Sequence, residues 1–199
     1  MSNNPSQGGL PRNEVFEFGG LHHLALVCRD MAKTVEFYQG VLGMPLVKTL
    51  ELSGGRGQHF FFDIGNGNTL AFFWFAEAPE PIEGVVTALD LPGTGDLRTA
   101  IGSMNHVALT VPAEKFDEYC TKLTALGIEI SPIIAHDDSP SGIAEEMHPG
   151  VFIRSVYFRD PDGIMLELAA WTRALISGEA VHVPQTATQP KPEPATAAT

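Results

Sequence analysis

The sequence predicts an α+β fold in which two βαβββ modules follow one another along a chain of 199 residues. The first observation is an internal repeat, since HHLALV at residues 22–27 returns as NHVALT at residues 105–110. The second is that a helical pattern ending in Leu-Gly follows each copy. The third is that three strand-like runs follow each helical pattern, so both halves have the same order of elements.

The first module reads as one helix and four strands. Residues 22–27 form an apolar strand, and Asp30 lies where a helix N-cap is expected. The helical pattern begins at Met31 and ends at Leu42-Gly43, where glycine takes the left-handed conformation at little cost. The remaining strands are predicted at residues 45–52, 58–64 and 68–76, with a tight Gly65-Asn66-Gly67 turn before the last.

The second module repeats this order. A strand at residues 105–110 leads to a helix that begins after Pro112 and ends at Leu126-Gly127. Three strands are predicted at residues 129–134, 151–159 and 164–170. The turn before the last strand is Asp160-Pro161-Asp162-Gly163, which places Pro and Gly at the positions that a type I turn favours.

The repeat and the composition together predict five segments. We expect residues 1–18 to form a flexible N-terminal tail and residues 174–199 a mostly disordered C-terminal tail, which is rich in Pro, Ala and Thr from residue 184 onward. Between them we expect a first module at 19–78, a linker at 79–103 and a second module at 104–173.

Composition excludes several classes of function. A formal net charge of −12 argues against a nucleic-acid or anionic-membrane partner. The apolar runs are too short to span a bilayer, and residues 1–20 lack the pattern of a secretory signal, so we expect a cytoplasmic protein. In that compartment Cys28 and Cys120 are expected to be free thiols, with a disulfide as the alternative.

Two histidines and one glutamate are the candidate metal ligands. Alternate side chains of a strand face opposite ways, so His22 and His23 cannot both face one metal ion. The repeat aligns His23 with His106, and His22 with Asn105.

Glu167 is the third candidate, because it is a carboxylate in an otherwise apolar strand and burying it unpaired would be costly. The alternatives are a solvent-facing Glu167 on an edge strand and histidines that are satisfied core residues. A His, His, Glu set suits Fe(II), Mn(II), Co(II), Ni(II) or Zn(II).

These features resemble the vicinal oxygen chelate superfamily, which includes glyoxalase I, fosfomycin-resistance transferases, bleomycin-binding proteins and type I extradiol dioxygenases. The resemblance covers roughly residues 20–172 and implies a pair of half-barrels around one metal site. It also implies that the site is assembled within one chain or across a homodimer.

One stretch is similar to the signature of the extradiol dioxygenases. His148, Tyr157, the Asp160–Gly163 turn and Glu167 reproduce its spacing, while Glu146 departs from it. The resemblance implies that Tyr157 and His148 contact a catechol-type substrate, whose ring is opened with O₂. It further implies one divalent metal, with Fe(II) as the first choice and Mn(II) or another ion as alternatives.

A second departure concerns proton transfer. The dioxygenases carry an acid–base histidine just before the last strand of the first module, and here Asn68 stands at that place. Asparagine cannot carry a proton at neutral pH. Either another residue replaces it, with His59 as the nearest candidate, or the reaction differs.

Three other functions remain open within the same superfamily. A glyoxalase-like isomerase usually has a fourth protein ligand, at the place where this chain has Ala71. A fosfomycin-type thiol transferase shares the His, His, Glu ligands but needs a basic cluster, and the few basic residues near the candidate site, such as Arg154 and Arg159, do not form one. A binding protein without catalysis would need no metal ligands.

Overall fold

A computed structural model describes residue 10 and residues 13–186 of the chain. It confirms the α+β fold, with two four-stranded sheets that each follow the predicted βαβββ order. The predicted tails at 1–18 and 174–199 lie partly outside the described residues. No helix within the described part is long and apolar enough to cross a membrane.

The first module has its strands in the order β1-β4-β3-β2, with β1 and β4 parallel. The Asp30 carboxylate caps the helix by accepting hydrogen bonds from the backbone N–H groups of Ala32 and Lys33. The helix continues past its α-helical part as a π-helical segment. The elements are β1 (His23–Cys28), α1 (Met31–Val35) with its π-helical continuation (Glu36–Val41), β2 (Leu46–Leu52), β3 (Gly57–Asp63) and β4 (Thr69–Phe75).

The second module has the matching order β5-β8-β7-β6, again with its first and last strands parallel. Gly127 ends the helix with a φ of 77°, as the Leu-Gly pattern predicts. The elements are β5 (Val107–Thr110), a 3₁₀ turn (Ala113–Lys115), α2 (Phe116–Ala125), β6 (Ile134–His136), β7 (Ile153–Arg159) and β8 (Met165–Trp171).

One predicted strand is wrong in its position. Residues 129–134 were expected to pair, but β6 begins only at Ile134, and Ile130 makes a single isolated bridge to Phe158. The reason is Pro132, which has no N–H to donate to a strand ladder. Just before it, Ser131 takes over the pairing with β7: its N–H donates to the Tyr157 carbonyl and its Oγ accepts from the Tyr157 N–H.

A single hydrophobic core joins the two modules. In each module the helix packs on one face of the sheet, which we call the helix face, and leaves the other, the open face, uncovered by it. Tyr38, Phe62 and Phe72 of the first module belong to the same buried cluster as Phe116 and Phe158 of the second. The cluster also contains Cys28 and Cys120, which are both free thiols, as expected.

The predicted linker packs against the second module. Ala88 is buried and, with Leu91, contacts a cluster of Ile134, Tyr157 and Met165. Arg159 holds this segment by donating hydrogen bonds to the carbonyls of Ala88 and Leu89 at 2.7 and 2.9 Å. The linker therefore covers part of the open face of the second sheet.

The Asp160–Gly163 turn fastens the second module to the first. Asp160 is buried, and its Oδ1 accepts from the N–H groups of Asp162 and Ile164. Its Oδ2 accepts a 3.1 Å hydrogen bond from the hydroxyl of Tyr38. Burial raises the pKa of Asp160 from its ordinary value of 3.8 to about 6, although its hydrogen bonds act in the opposite direction.

Replacing Asp160 with Asn is expected to change how stability depends on pH. Because folding raises this pKa, protonated Asp160 adds to the free energy of unfolding. This contribution is complete below about pH 4 and is lost as the pH rises through about 6. The wild type should therefore lose about 3 kcal/mol of stability over this pH range, for a shift of about two pKa units, and Asp160→Asn should not. Urea unfolding of both proteins from pH 4 to 7 measures the difference.

Tyr38→Phe is the companion variant. Since the hydroxyl of Tyr38 lowers the pKa of Asp160, its removal should move the pH-dependent step to higher pH and leave its direction unchanged. Parallel stability curves for the wild type and Asp160→Asn over this range would contradict the assignment.

Candidate metal centre

The candidate ligands lie on the open faces of the two sheets, at matching places. Ala108, two residues after His106, pairs with Glu167 across β5 and β8. Ala25, two residues after His23, pairs with Ala71 across β1 and β4. The register therefore confirms that Ala71 occupies the place in the first module that Glu167 occupies in the second. The first module offers one of the three predicted ligands, and the second offers two.

His106 and Glu167, two of the predicted ligands, lie in direct contact. The His106 Nε2 lies 3.0 Å from the Glu167 Oε2, and the other carboxylate oxygen accepts a hydrogen bond from the Ser155 hydroxyl. Glu167 is only 5% exposed, so the solvent-facing alternative is wrong. Burial acts to raise the pKa of Glu167, but the hydrogen bonds from His106 and Ser155 outweigh it and hold that pKa below its usual range.

Tyr157 lies beside this pair. It is the cross-strand partner of Glu167, and its ring meets the His106 ring edge to face with centroids 5.5 Å apart. Burial and the Glu167 charge raise the pKa of Tyr157 to about 12. The phenol is therefore neutral at physiological pH and can donate a hydrogen bond next to the ligand pair.

His23 does not join the pair within this chain. Its Nδ1 lies 2.8 Å from the Nδ1 of His22, and its ring contacts Phe61 with centroids 5.9 Å apart. Residues 10 and 13–186 contain no group of three or more His, Cys, Asp or Glu side chains placed to hold one metal ion. Two of the three predicted ligands are thus together, and the third lies on the other sheet.

His148 and Asn68, the other predicted site residues, serve local turns in this structure. The His148 Nδ1 accepts from the Gly150 N–H, and its Nε2 donates to the Asp137 carboxylate at 3.0 Å. Both ring nitrogens are thus engaged within the loop between β6 and β7. Asn68 donates from its amide to the Gly65 carbonyl in the β3–β4 turn, so it lies in the first module, away from the His106–Glu167 pair in sequence and sheet.

His59 lies on the same open face as His23. Its ring stacks on Phe73 with centroids 3.6 Å apart and contacts Phe61 at 4.3 Å. Burial, and secondarily the proximity of His23, lowers the pKa of His59. Its Nε2 is buried and has no hydrogen-bond partner in the described part of the chain. The open face of the first sheet is therefore an aromatic surface around one candidate ligand.

Sequence reasoning missed Ser155, whose hydroxyl contacts Glu167. The strand period of two could have found it, because Ser155 lies two residues before Tyr157 on β7 and shares its face. It also missed the contact between Asn105 and His106, where the Asn105 Oδ1 lies 2.8 Å from the His106 Nδ1.

The donors that are present suit a divalent metal. The His106 Nε2 lies 3.0 Å from a carboxylate oxygen of the buried Glu167. Imidazole and carboxylate are ligand types that Fe, Mn, Co, Ni and Zn sites share. Basic side chains are scarce around this pair. The strand register places two basic residues on the open faces. Lys48 is the cross-strand partner of Phe61, and Arg159 donates a hydrogen bond to the carbonyl of Ala88. Arg154 instead pairs with Asp117 of α2.

Comparison with known proteins supports this assignment of the fold. Residues 20–168 match the family described as the glyoxalase/bleomycin resistance protein/dioxygenase superfamily. The chain is 27% identical to a metallothiol transferase FosB of Shouchella clausii, over 78% of this chain and 82% of that protein. It is 26% identical to the fosfomycin resistance protein FosX of Listeria monocytogenes, over 77% of this chain and 90% of that protein.

Among solved structures, a glyoxalase family protein from Enterococcus faecalis superposes with a TM-score of 0.53 at 24% identity, covering 76% of this chain and 98% of that one. At this level of identity the likeness concerns the fold alone. None of these three relatives is named as a dioxygenase, so the predicted ring cleavage gains no support from them.

Proposed function

The chain belongs to the glyoxalase/bleomycin resistance protein/dioxygenase superfamily, and we propose that it is a divalent-metal-dependent enzyme acting on a small molecule that binds the metal through two neighbouring oxygens. The observation that carries the proposal is the pair formed by His106 and the buried Glu167, with the neutral phenol of Tyr157 beside it. A carboxylate that its neighbours keep ionised beside an imidazole offers the negative charge and the ligand atoms that a divalent ion binds.

We propose further that the third ligand, His23, comes from a second copy of the chain. The first module has Ala71 where the second has Glu167. A complete set of three ligands therefore requires the open face of a first module, which carries His23, and the open face of a second module, which carries His106 and Glu167. Within the described residues, no group of three His, Cys, Asp or Glu side chains is placed to hold one metal ion. The His106 side chain, on the second module, is 35% exposed. On the open face of the first module's sheet, Val27, Leu50 and Phe75 are also exposed, so a second copy has apolar surface to cover.

Each residue of the site has a role that follows from its contacts. A bound divalent ion would act as a Lewis acid toward the substrate oxygens. Glu167 supplies the negative charge, and the Ser155 hydroxyl fixes the orientation of its carboxylate. Tyr157, which keeps its proton at physiological pH, donates a hydrogen bond toward an anionic oxygen of the substrate.

The relatives and the open faces favour different substrates. The FosB and FosX relatives favour a fosfomycin-type addition to a small oxygen-rich molecule, which is the second candidate function. One observation argues against it. Binding an anionic phosphonate requires several basic side chains that are not already paired, and among the described residues Lys48 is the one such side chain that the strand register places on an open face. The stacked His59 and Phe73 favour a planar substrate, as ring cleavage would require.

The test is to load the metal-depleted full-length protein with Mn(II), Fe(II), Ni(II) or Zn(II) and to measure binding and turnover together. We expect one ion per complete site. Oxygen uptake with catechols reports ring cleavage, and ³¹P NMR of fosfomycin with thiols or water reports addition. A protein that binds none of the four ions above the level of a His106→Ala variant would contradict the proposal.

A further inference from the structure

Asn105 makes two contacts that together fix the orientation of its side-chain amide. Its Nδ2 lies 2.9 Å from the carbonyl oxygen of Leu97 and 3.4 Å from the Thr99 hydroxyl, both in the segment that joins the modules. A carbonyl oxygen can only accept, so the amide nitrogen must point to Leu97. The amide oxygen then points the other way, to the His106 ring.

This orientation requires the Nδ1 of His106 to carry a proton. The Asn105 Oδ1 lies 2.8 Å from the His106 Nδ1 and can only accept, so Nδ1 must be the donor. The opposite nitrogen, Nε2, is the one that lies 3.0 Å from the Glu167 carboxylate. Because Asn105 holds the proton on Nδ1, Nε2 is the ring nitrogen through which His106 would bind a metal ion, in place of the proton that Nε2 donates to Glu167.

The first module has the same arrangement at the repeat position. His22, which aligns with Asn105, places its Nδ1 2.8 Å from the Nδ1 of His23. In the arrangement that matches the second module, His22 accepts and His23 donates from its Nδ1. In each module the residue before the candidate ligand therefore contacts the Nδ1 of that histidine.

We propose that Asn105 is a positioning residue for the metal centre: anchored by Leu97 and Thr99, it holds the proton of His106 on Nδ1 and aims Nε2 at the ligand position. The inference rests on the proposed function in one respect, which is that the group bound by Nε2 would be a divalent metal ion. It makes the linker a structural part of the site, because the carbonyl that fixes Asn105 belongs to it.

The experiment compares Asn105→Leu, which has a similar shape but cannot accept, with Asn105→Asp, which keeps an acceptor. Two readouts are taken on the full-length protein: the affinity for Zn(II), and the solvent exchange rate of the His106 Nδ1 proton in ¹H–¹⁵N spectra of histidine-labelled protein. We expect Asn105→Leu to weaken Zn(II) binding about tenfold and to accelerate exchange of that proton. Asn105→Asp keeps the acceptor that faces Nδ1 but loses the donor to the Leu97 carbonyl, so it should preserve the slow exchange of that proton.

The outcomes separate this inference from the proposed function. Unchanged affinity and unchanged exchange in Asn105→Leu would overturn the inference. If the wild type binds no Zn(II) but exchange still accelerates in Asn105→Leu, the contact with His106 stands and the metal-dependent function falls. If Asn105→Leu fails to fold, fast exchange of the Nδ1 proton in Asn105→Asp would overturn the inference instead.

His22 provides the matched comparison in the other module. His22→Asn places in the first module the residue that the second module uses, so it should keep Zn(II) affinity. His22→Leu, which removes the acceptor, should weaken that affinity by about the same tenfold factor as Asn105→Leu. Equal affinities of the two His22 variants would overturn the extension of the inference to the first module.

Discussion

Glu167→Gln is expected to weaken divalent-metal binding by about 100-fold or more, since losing even a residue that only supports a ligand costs about 10-fold to 100-fold. Gln has the shape of Glu and can still accept from His106 and contact Ser155, so the fold should remain intact. What is lost is the negative charge, which is the principal contribution of a carboxylate to binding a divalent ion. Calorimetric titration with Mn(II) or Zn(II) measures the change.

Glu51→Gln is the matched control for this substitution. Glu51 is an exposed carboxylate on β2 of the other module, where it accepts a hydrogen bond from Gln58. Its replacement changes the net charge by the same amount but should leave metal affinity unaltered. Equal affinities of the wild type and Glu167→Gln would mean that Glu167 is not a ligand, whatever its burial.

Mixing two inactive variants should restore metal sites if a second copy supplies His23. A His23→Ala chain keeps His106 and Glu167, and a Glu167→Gln chain keeps His23. In a two-fold symmetric mixed dimer one site would lack both groups, and the other would be complete. With random exchange of subunits about half of the dimers are mixed, so about a quarter of all sites should regain metal and activity.

The control for the mixing experiment combines His106→Ala with Glu167→Gln. Both changes affect the second module, so every site in a mixed dimer lacks one ligand and nothing should be regained. Recovery in this control, or no recovery in the first mixture when the wild type binds metal, would show that the three ligands are not divided between copies in this way.

Much of the fold could be predicted because the chain repeats itself. The strand starts around His23 and His106 and the Leu-Gly helix ends recur at matching places, and the structure confirms both modules. The position of β6 could not be predicted from hydrophobic pattern alone. There Pro132 interrupts an apolar run, and the Ser131 contacts with Tyr157 decide where pairing resumes.

The site was predictable where strand register decides it. Placing Glu167 beside His106 and Tyr157 follows from alternation along paired strands. The engagement of His148 could not be foreseen, because its partner Asp137 lies eleven residues away on the other side of a loop. Nor does a sequence say whether His23 meets the other two ligands in its own chain or in another.

The turn that carries Asp160 has a consequence for how the molecule comes apart. It is contacted from the first module by the Tyr38 hydroxyl and by the backbone of Arg29, next to a core that both halves share. Repeated units that touch only at narrow interfaces can melt one at a time. Here neither half can lose its structure without exposing the buried aromatic rings of the other, so a calorimetric scan should show one cooperative transition for the duplicated chain.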